Sequence, residues 1–254
     1  MVEFVRYKKH NEVRYGAVRN GNVLEIRGDI FGKYDISSVE HSRDTLEILP
    51  PVSPTKVIAV GLNYLDHAQE LDMGVPTEPL IFLKPSSSVI SHDETIILPK
   101  SSERVDFEAE LGIVIKKTAK NVSIKQAPDY ILGYTCANDV TARDFQKNDG
   151  QWTRAKSFDT FCPIGPSIVS GIDTHGLVIQ GILNGEVIQD SNTRKMIFKT
   201  DELVSYVSRV MTLYPGDVII TGTPPGVDQL QDGDVIEIKI DQVGTLRNFV
   251  KLED

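Results

Sequence analysis

The sequence predicts a β-rich α+β protein, with a small N-terminal β unit followed by a larger strand-dominated domain. Three observations carry that prediction. Apolar and polar residues alternate around Asn20-Gly21 and Asn184-Gly185, and Asn-Gly is the strongest short-range hairpin signal. Strand-like runs rarely alternate with helical ones, which argues against a parallel doubly wound sheet. Pro50, Pro51 and Pro54 cluster in PPVSPTK and mark a linker of restricted geometry. The boundary expected there divides residues 1–52 from residues 53–254.

The elements follow in order. EVRYGAVRNGNVLEI is an N-terminal hairpin, and KVIAVGLNY is a short buried strand that runs into a turn. YLDHAQELDM has Leu65, Ala68 and Leu71 at spacings of three, a helical pattern. The loop GVPTEP leads to strands at LIFLK and TIILP. VDFEAELGIVI reads as one strand, Val105 to Ile115, with Asp106, Glu108 and Glu110 on one side and Val105, Phe107, Ala109 and Leu111 on the other. A further strand ends at Asn138-Asp139, and TARDFQKND then forms a short helix with Thr141 as N-cap and Asp144 at N3. GLVIQGILNGEVIQ is the second hairpin. In TDELVSYVSRVMTL, Leu203, Val207, Val210 and Met211 line one helical face. DVIITGTP, DVIEIKI and VGTLRNFVKL complete the strands.

A chain of 254 residues with 40% hydrophobic and 25% charged residues buries an ordinary core without disulfides or a structural metal. Its formal net charge of −9 argues against a nucleic-acid footprint and against an anionic membrane surface. Two cysteines, Cys136 and Cys162, form no disulfide framework and read as buried thiols. The N-terminal MVEFVRYKKH lacks an apolar signal-peptide core, and no run is long and apolar enough to span a bilayer, so a cytoplasmic protein is expected.

The acidic row of Val105–Ile115, taken alone, reads first as a solvated sheet face and only second as a site. A second segment, NDVTARDFQ, shifts that balance, because Asp139 ends a strand just before a helix, where binding residues collect. Glu108, Glu110 and Asp139 form an all-oxygen set suited to a hard cation, Mg²⁺, Mn²⁺ or Ca²⁺. Zinc is disfavoured, since no His or Cys lies close in sequence. His67 and Glu70, three apart, share a helical face on which Glu70 can orient the imidazole, but from spacing alone the pair reads first as an exposed i,i+3 pair.

GLNYLDHAQE, DFEAELGIVI, NDVTARDFQ, KSFDTFCPIGP and GDVIITGTPPGV, in this order and spacing, resemble the fumarylacetoacetate hydrolase family over about residues 55–254. The nearer likeness is to acylpyruvate hydrolase and hydroxyhepta-dienedioate isomerase-like members. That resemblance implies a mixed β-roll, a homodimer and a central divalent metal, Mg²⁺ first. Carried over by position, Glu108, Glu110 and Asp139 hold the metal, while Lys156 and Arg143 supply positive charge for an anionic 2-oxo acid. Gln146 faces the site, and Thr223 offers its hydroxyl and backbone N–H to a substrate carboxylate. His67, oriented by Glu70, is the base, on a lid hinged at Gly61 and Gly74. Asp106 matches no ligand and is expected behind the ligands or facing solvent, tolerating Asn better than either glutamate. The implied activity is metal-dependent C–C hydrolysis of acylpyruvate-type 2,4-diketo acids by a His-activated water. Oxaloacetate decarboxylation, or isomerisation or decarboxylation of 2-hydroxyhepta-2,4-diene-1,7-dioate, is the alternative at the same site. A non-enzymatic module with a structural metal is the rival from another class, and His67-Glu70 speaks against it.

Overall fold

The computed structural model describes residues 1–66 and 74–254. Among the described residues, one twelve-stranded sheet runs through both halves of the chain. Its order is Tyr34–Ser42, Asn22–Gly28, Glu12–Arg19, Val2–Lys9, Cys162–Ser170, Ile131–Asn138, Ala109–Ile115, Val218–Ile220, Val57–Val60 and Ile81–Lys84, with Glu47–Ile48 and Val89–Ile90 as side branches. A five-stranded sheet has the order Glu186–Asn192, Val178–Leu183, Val235–Ile240, Gly244–Leu252 and Thr95–Leu98. The pairings are mostly antiparallel, but Val57–Val60 runs parallel to Val218–Ile220, and Thr95–Leu98 parallel to Gly244–Leu252. The result is the strand-rich, mixed architecture the sequence predicts. The N-terminal strands extend the large sheet, because Phe4 pairs with Ile168 across the edge of the first hairpin.

Both Asn-Gly hairpins form where the pattern places them. Asn20 (φ 51°) and Gly21 (φ 82°) turn the first, and Asn184 (φ 53°) and Gly185 (φ 83°) the second. Paired left-handed residues match the twist of the flanking strands, and Asn and Gly tolerate them best. The central strand Ala109–Ile115 is buried along its whole length, as its apolar run AELGIVI requires of a strand covered on both faces. Leu111 packs into a core with Ile179, Ile238 and Leu246 of the five-stranded sheet. Ile113 and Ile115 meet Leu203, Val204 and Val207 of helix Thr200–Val210. Each such side chain contributes about 1.5–3 kcal/mol of apolar burial.

Four details depart from the sequence reading. Val105–Ile115 is two strands, Val105–Asp106 and Ala109–Ile115, separated by Phe107 and Glu108. The short strand pairs with Thr141–Ala142, so Thr141 lies opposite Asp106 and is not an N-cap. Helix Arg143–Asn148 starts instead from Ala142, and the Thr141 hydroxyl donates to the Asp139 carbonyl at 2.8 Å. Val210, expected on the apolar face of its helix, is exposed at the last turn. The helix read over YLDHAQELDM falls largely on residues 67–73, outside the described residues. Among the described residues no helix is long and apolar enough to cross a membrane.

Candidate active site

Four strand ends converge. The register that pairs Ala109 with Asn138 places Asp139 beside Glu108, whose carbonyl accepts the Asp139 N–H at 3.0 Å. Asn138 closes the junction by accepting the Glu108 N–H on its side-chain oxygen at 3.0 Å. Glu110, one residue into the central strand, accepts the Gly222 N–H at 2.7 Å from the loop after Val218–Ile220. Gly222 is in the left-handed region (φ 89°), and a Cβ there would lie 2.9 Å from the Asn63 Cβ, so both conformation and space demand glycine. The fourth end is Lys84, the last residue of Ile81–Lys84.

The outcome is a buried carboxylate triad. Oxygens of Glu108, Glu110 and Asp139 lie within 4.8 Å of one another. A chain of ion pairs with alternating sign surrounds them: Arg104, Asp106, Arg143, Glu108, Lys156, Asp139, Lys84. Lys156 bridges Glu108 at 2.9 Å and Asp139 at 2.7 Å. Burial pushes its ammonium down, but Asp139 and Glu108 outweigh burial and hold its pKa above the ordinary lysine value. Lys156 is therefore a fixed cation and donor, not a base. Burial also pushes Glu108 up, yet Lys156 and Arg143 prevail and hold it down at about 2. Glu110 is the exception. Burial, then Asp139, then Glu108 all raise its carboxyl well above the usual range, and among the described residues no basic side chain pairs with it.

The predicted positions are met unevenly. Arg143 does not pair with its neighbour Asp144, which accepts from Ser102 at 2.6 Å. It reaches instead to Asp106, Glu108 and Gln146. Gln146 thus lies at the site, accepting from Arg143 at 2.8 Å. The Thr223 hydroxyl is buried and already engaged, donating to the Ala109 carbonyl at 3.0 Å and accepting from Gln189 at 2.9 Å. The hydroxyl therefore has no spare proton for a substrate carboxylate, while the Thr223 backbone N–H, the other donor expected there, takes no part in these two bonds. Asp106 does not face solvent: it is 1% exposed and accepts from both Arg104 and Arg143 at 2.8 Å. His67 and Glu70 lie outside the described residues. Sequence reasoning missed Lys84, fully buried and paired with Asp139, and Arg104. A lysine that ends the apolar run LIFL reads as a solvated strand terminus, so only the fold reveals it.

A cavity of about 460 Å³ opens beside the triad. Arg104, Arg143, Lys147 and Lys156 give it positive charge, and Leu62, Leu80, Trp152 and Val227 give it apolar walls. Gly61 lets the Trp152 ring close against the strand end, where a Cβ would meet that ring at 2.6 Å.

A family model described as Fumarylacetoacetate (FAA) hydrolase C-terminal matches residues 56–251. The chain belongs to the fumarylacetoacetate hydrolase family. A second model, Rv2993c-like, N-terminal, matches residues 3–51. Within this family the chain is 44% identical to a mitochondrial oxaloacetate tautomerase from Xenopus laevis, over 86% of this chain and 73% of the relative. It superposes on a 2-hydroxyhepta-2,4-diene-1,7-dioate isomerase from Mycobacterium marinum with TM-score 0.93 and 40% identity, covering 100% and 99% of the two chains. A fumarylacetoacetate hydrolase from psychrophilic Exiguobacterium antarcticum gives TM-score 0.89 at 33% identity, covering 100% of each chain. Family members are thus enzymes of several reaction types, and the sequence's first expectation, C–C hydrolysis, is narrower than this range.

Proposed function

We propose that this chain is a divalent-metal-dependent enzyme that relocates a proton on a small 2-oxo acid, interconverting its keto and enol forms. The observation that carries the reading is Glu110. It is the one carboxylate of the triad with no basic partner among the described residues, and burial, Asp139 and Glu108 oppose its ionisation, an opposition that a bound cation would relieve. Three carboxylate oxygens suit Mg²⁺ or Mn²⁺, with Glu108, Glu110 and Asp139 as the ligands. A cation bound there supplies Lewis-acid stabilisation for the negative charge that develops on the 2-oxo oxygen.

The remaining work belongs to side chains. Lys156, charged and immobilised between two carboxylates, donates toward the same developing charge at no reorganisation cost. Arg143 spends its fork on Asp106, Glu108 and Gln146, so it fixes the wall and the sign of the potential. The apolar walls of Leu62, Leu80, Trp152 and Val227 would shield the reacting carbons of a bound substrate from water. His67, with Glu70, is the proposed proton carrier. Proton relocation is preferred over hydrolysis because relatives at 44% and 40% identity are named as a tautomerase and an isomerase. Hydrolysis of acylpyruvates, in which His67 would take the proton of a water that attacks the C4 carbonyl and the C3–C4 bond would break to give a carboxylic acid and a pyruvate enolate, is the second reading, and the likeness to the Exiguobacterium hydrolase favours it. An acid-only triad and a homodimer carried over from the family complete the proposal.

The test is a panel of oxaloacetate, acetylpyruvate and 2-hydroxyhepta-2,4-diene-1,7-dioate with Mg²⁺ or Mn²⁺. Accelerated keto–enol interconversion of oxaloacetate, read by ultraviolet absorbance and by deuterium exchange at C3, is the expected result. Cleavage of acetylpyruvate alone would transfer the assignment to the hydrolase reading. Inertness toward all three would sink both.

A further inference from the structure

The ion-pair chain around the triad has two unlike ends. At one end Lys84 is fully buried and closed off, with Asp139 on one side and the Val140 carbonyl at 3.2 Å on the other. At the other end Arg104 is open. Its side chain is 49% exposed, while its partner Asp106 is almost wholly buried. Only its Nε is used, donating to Asp106 at 2.8 Å, and among the described residues its two terminal nitrogens make no hydrogen bond. Its backbone is pinned, because its carbonyl accepts the Arg143 N–H at 2.8 Å.

Arg104 lines the same cavity as Glu108 and Lys156. A guanidinium fixed by one edge and open at the other presents two parallel donors, the geometry that receives a carboxylate bidentately. Charge points the same way. Four cations in the chain face three acids, and Glu110 makes the fourth acid, so the side-chain charges cancel. With Lys147 on the same wall, a divalent cation at the triad would leave the cavity with surplus positive charge, which a dianion offsets better than a monoanion.

We propose that Arg104 is the specificity-determining residue of this site. It receives the far carboxylate of a 2-oxo dicarboxylic acid, and Asp106 is the positioning residue that aims it. The proposal rests on the reading of the triad as a 2-oxo acid site, and it adds the residue that tells short dicarboxylates from their monocarboxylate counterparts.

The experiment compares oxaloacetate with 2-oxobutanoate, which has a methyl group where oxaloacetate carries its second carboxylate. Binding is measured by calorimetry on the Mg²⁺-loaded protein, and turnover by deuterium exchange at C3. Arg104→Gln should lower the preference for oxaloacetate by about ten- to hundredfold, the value of a charge-assisted bidentate contact. The loss should appear in KM and Kd more than in kcat. Arg104→Lys should recover only part, since an ammonium cannot hold Asp106 with one edge and a carboxylate with another. Thermal unfolding confirms that each variant is folded. An unchanged preference in folded Arg104→Gln overturns the inference, and so does an equal loss for both acids. If the wild type binds oxaloacetate selectively through Arg104 but turns over neither acid, the inference stands and the catalytic reading falls.

Discussion

Asp106→Asn, which the sequence reading expects to be tolerated better than changes at either glutamate, is instead the sharpest perturbation of the ion-pair chain, because Asp106 links its two arginines. Each carboxylate oxygen takes one guanidinium N–H at 2.8 Å, and the side chain is 2% exposed. Asparagine keeps one acceptor but turns an NH₂ group toward the other arginine, donor against donor. One charge-assisted hydrogen bond is lost, worth about 1.5–3 kcal/mol. Arg143, 15% exposed, also loses part of its countercharge, the circumstance in which broken buried pairs are costly. The half-exposed Arg104 regains water and adds little. The total is about 2–4 kcal/mol, or a fall in Tm of roughly 4–16 °C for a chain of this size. The assay is thermal and urea denaturation of the Asn variant beside Asp93→Asn, which cuts an ion pair with Arg247 in which both side chains are more than 40% exposed. That control should cost under about 1 kcal/mol. If Asp106→Asn costs no more than the control, the buried chain contributes nothing to stability and the argument for its rigidity fails.

Other outcomes follow from the same geometry. Glu110→Gln should leave the protein in EDTA as stable as wild type or more so, since it removes a carboxylate opposed by burial and by Asp139, while calorimetric Mg²⁺ binding disappears. A loss above about 2 kcal/mol in EDTA would contradict this account of Glu110. Exhaustive EDTA treatment should abolish turnover, and Mg²⁺ or Mn²⁺ should restore it; activity in protein shown to be metal-free would end the metal reading. Burial pushes the thiols of Cys136 and Cys162 up to about 12, so at pH 8 neither should react with a thiol reagent until denaturant is added. Rapid labelling of the folded protein would show that the core around them opens.

The turns and the triad were legible for definite reasons. Asn20-Gly21 and Asn184-Gly185 announce left-handed turns through residue type alone. Glu108 and Glu110 read by themselves as a wet strand face, and it took Asp139 at a strand end, together with the family motifs, to turn them into ligands. What stayed hidden depends on partners remote in sequence. Thr141 has the composition of an N-cap, yet pairing with Asp106 holds it in a strand, so tertiary contact overrode local preference. Asp106 reads as an acid either behind the ligands or facing solvent, and only Arg143, 37 residues on, decides for the first by folding back onto it. Lys84 becomes a site residue only because Ile81–Lys84 pairs with Val57–Val60, which sits beside Val218–Ile220 and the loop that holds Glu110.

Trp152 is the only tryptophan in the chain, and it forms part of the cavity wall, edge-on to Phe82 at 5.3 Å between ring centroids. All indole emission from this protein therefore originates within the compartment that holds the proposed reaction. Filling that compartment changes the polarity around a single fluorophore, with no second emitter to dilute the signal. Ligand titrations, stopped-flow association and screening of candidate diacids can be read optically on the unlabelled native chain.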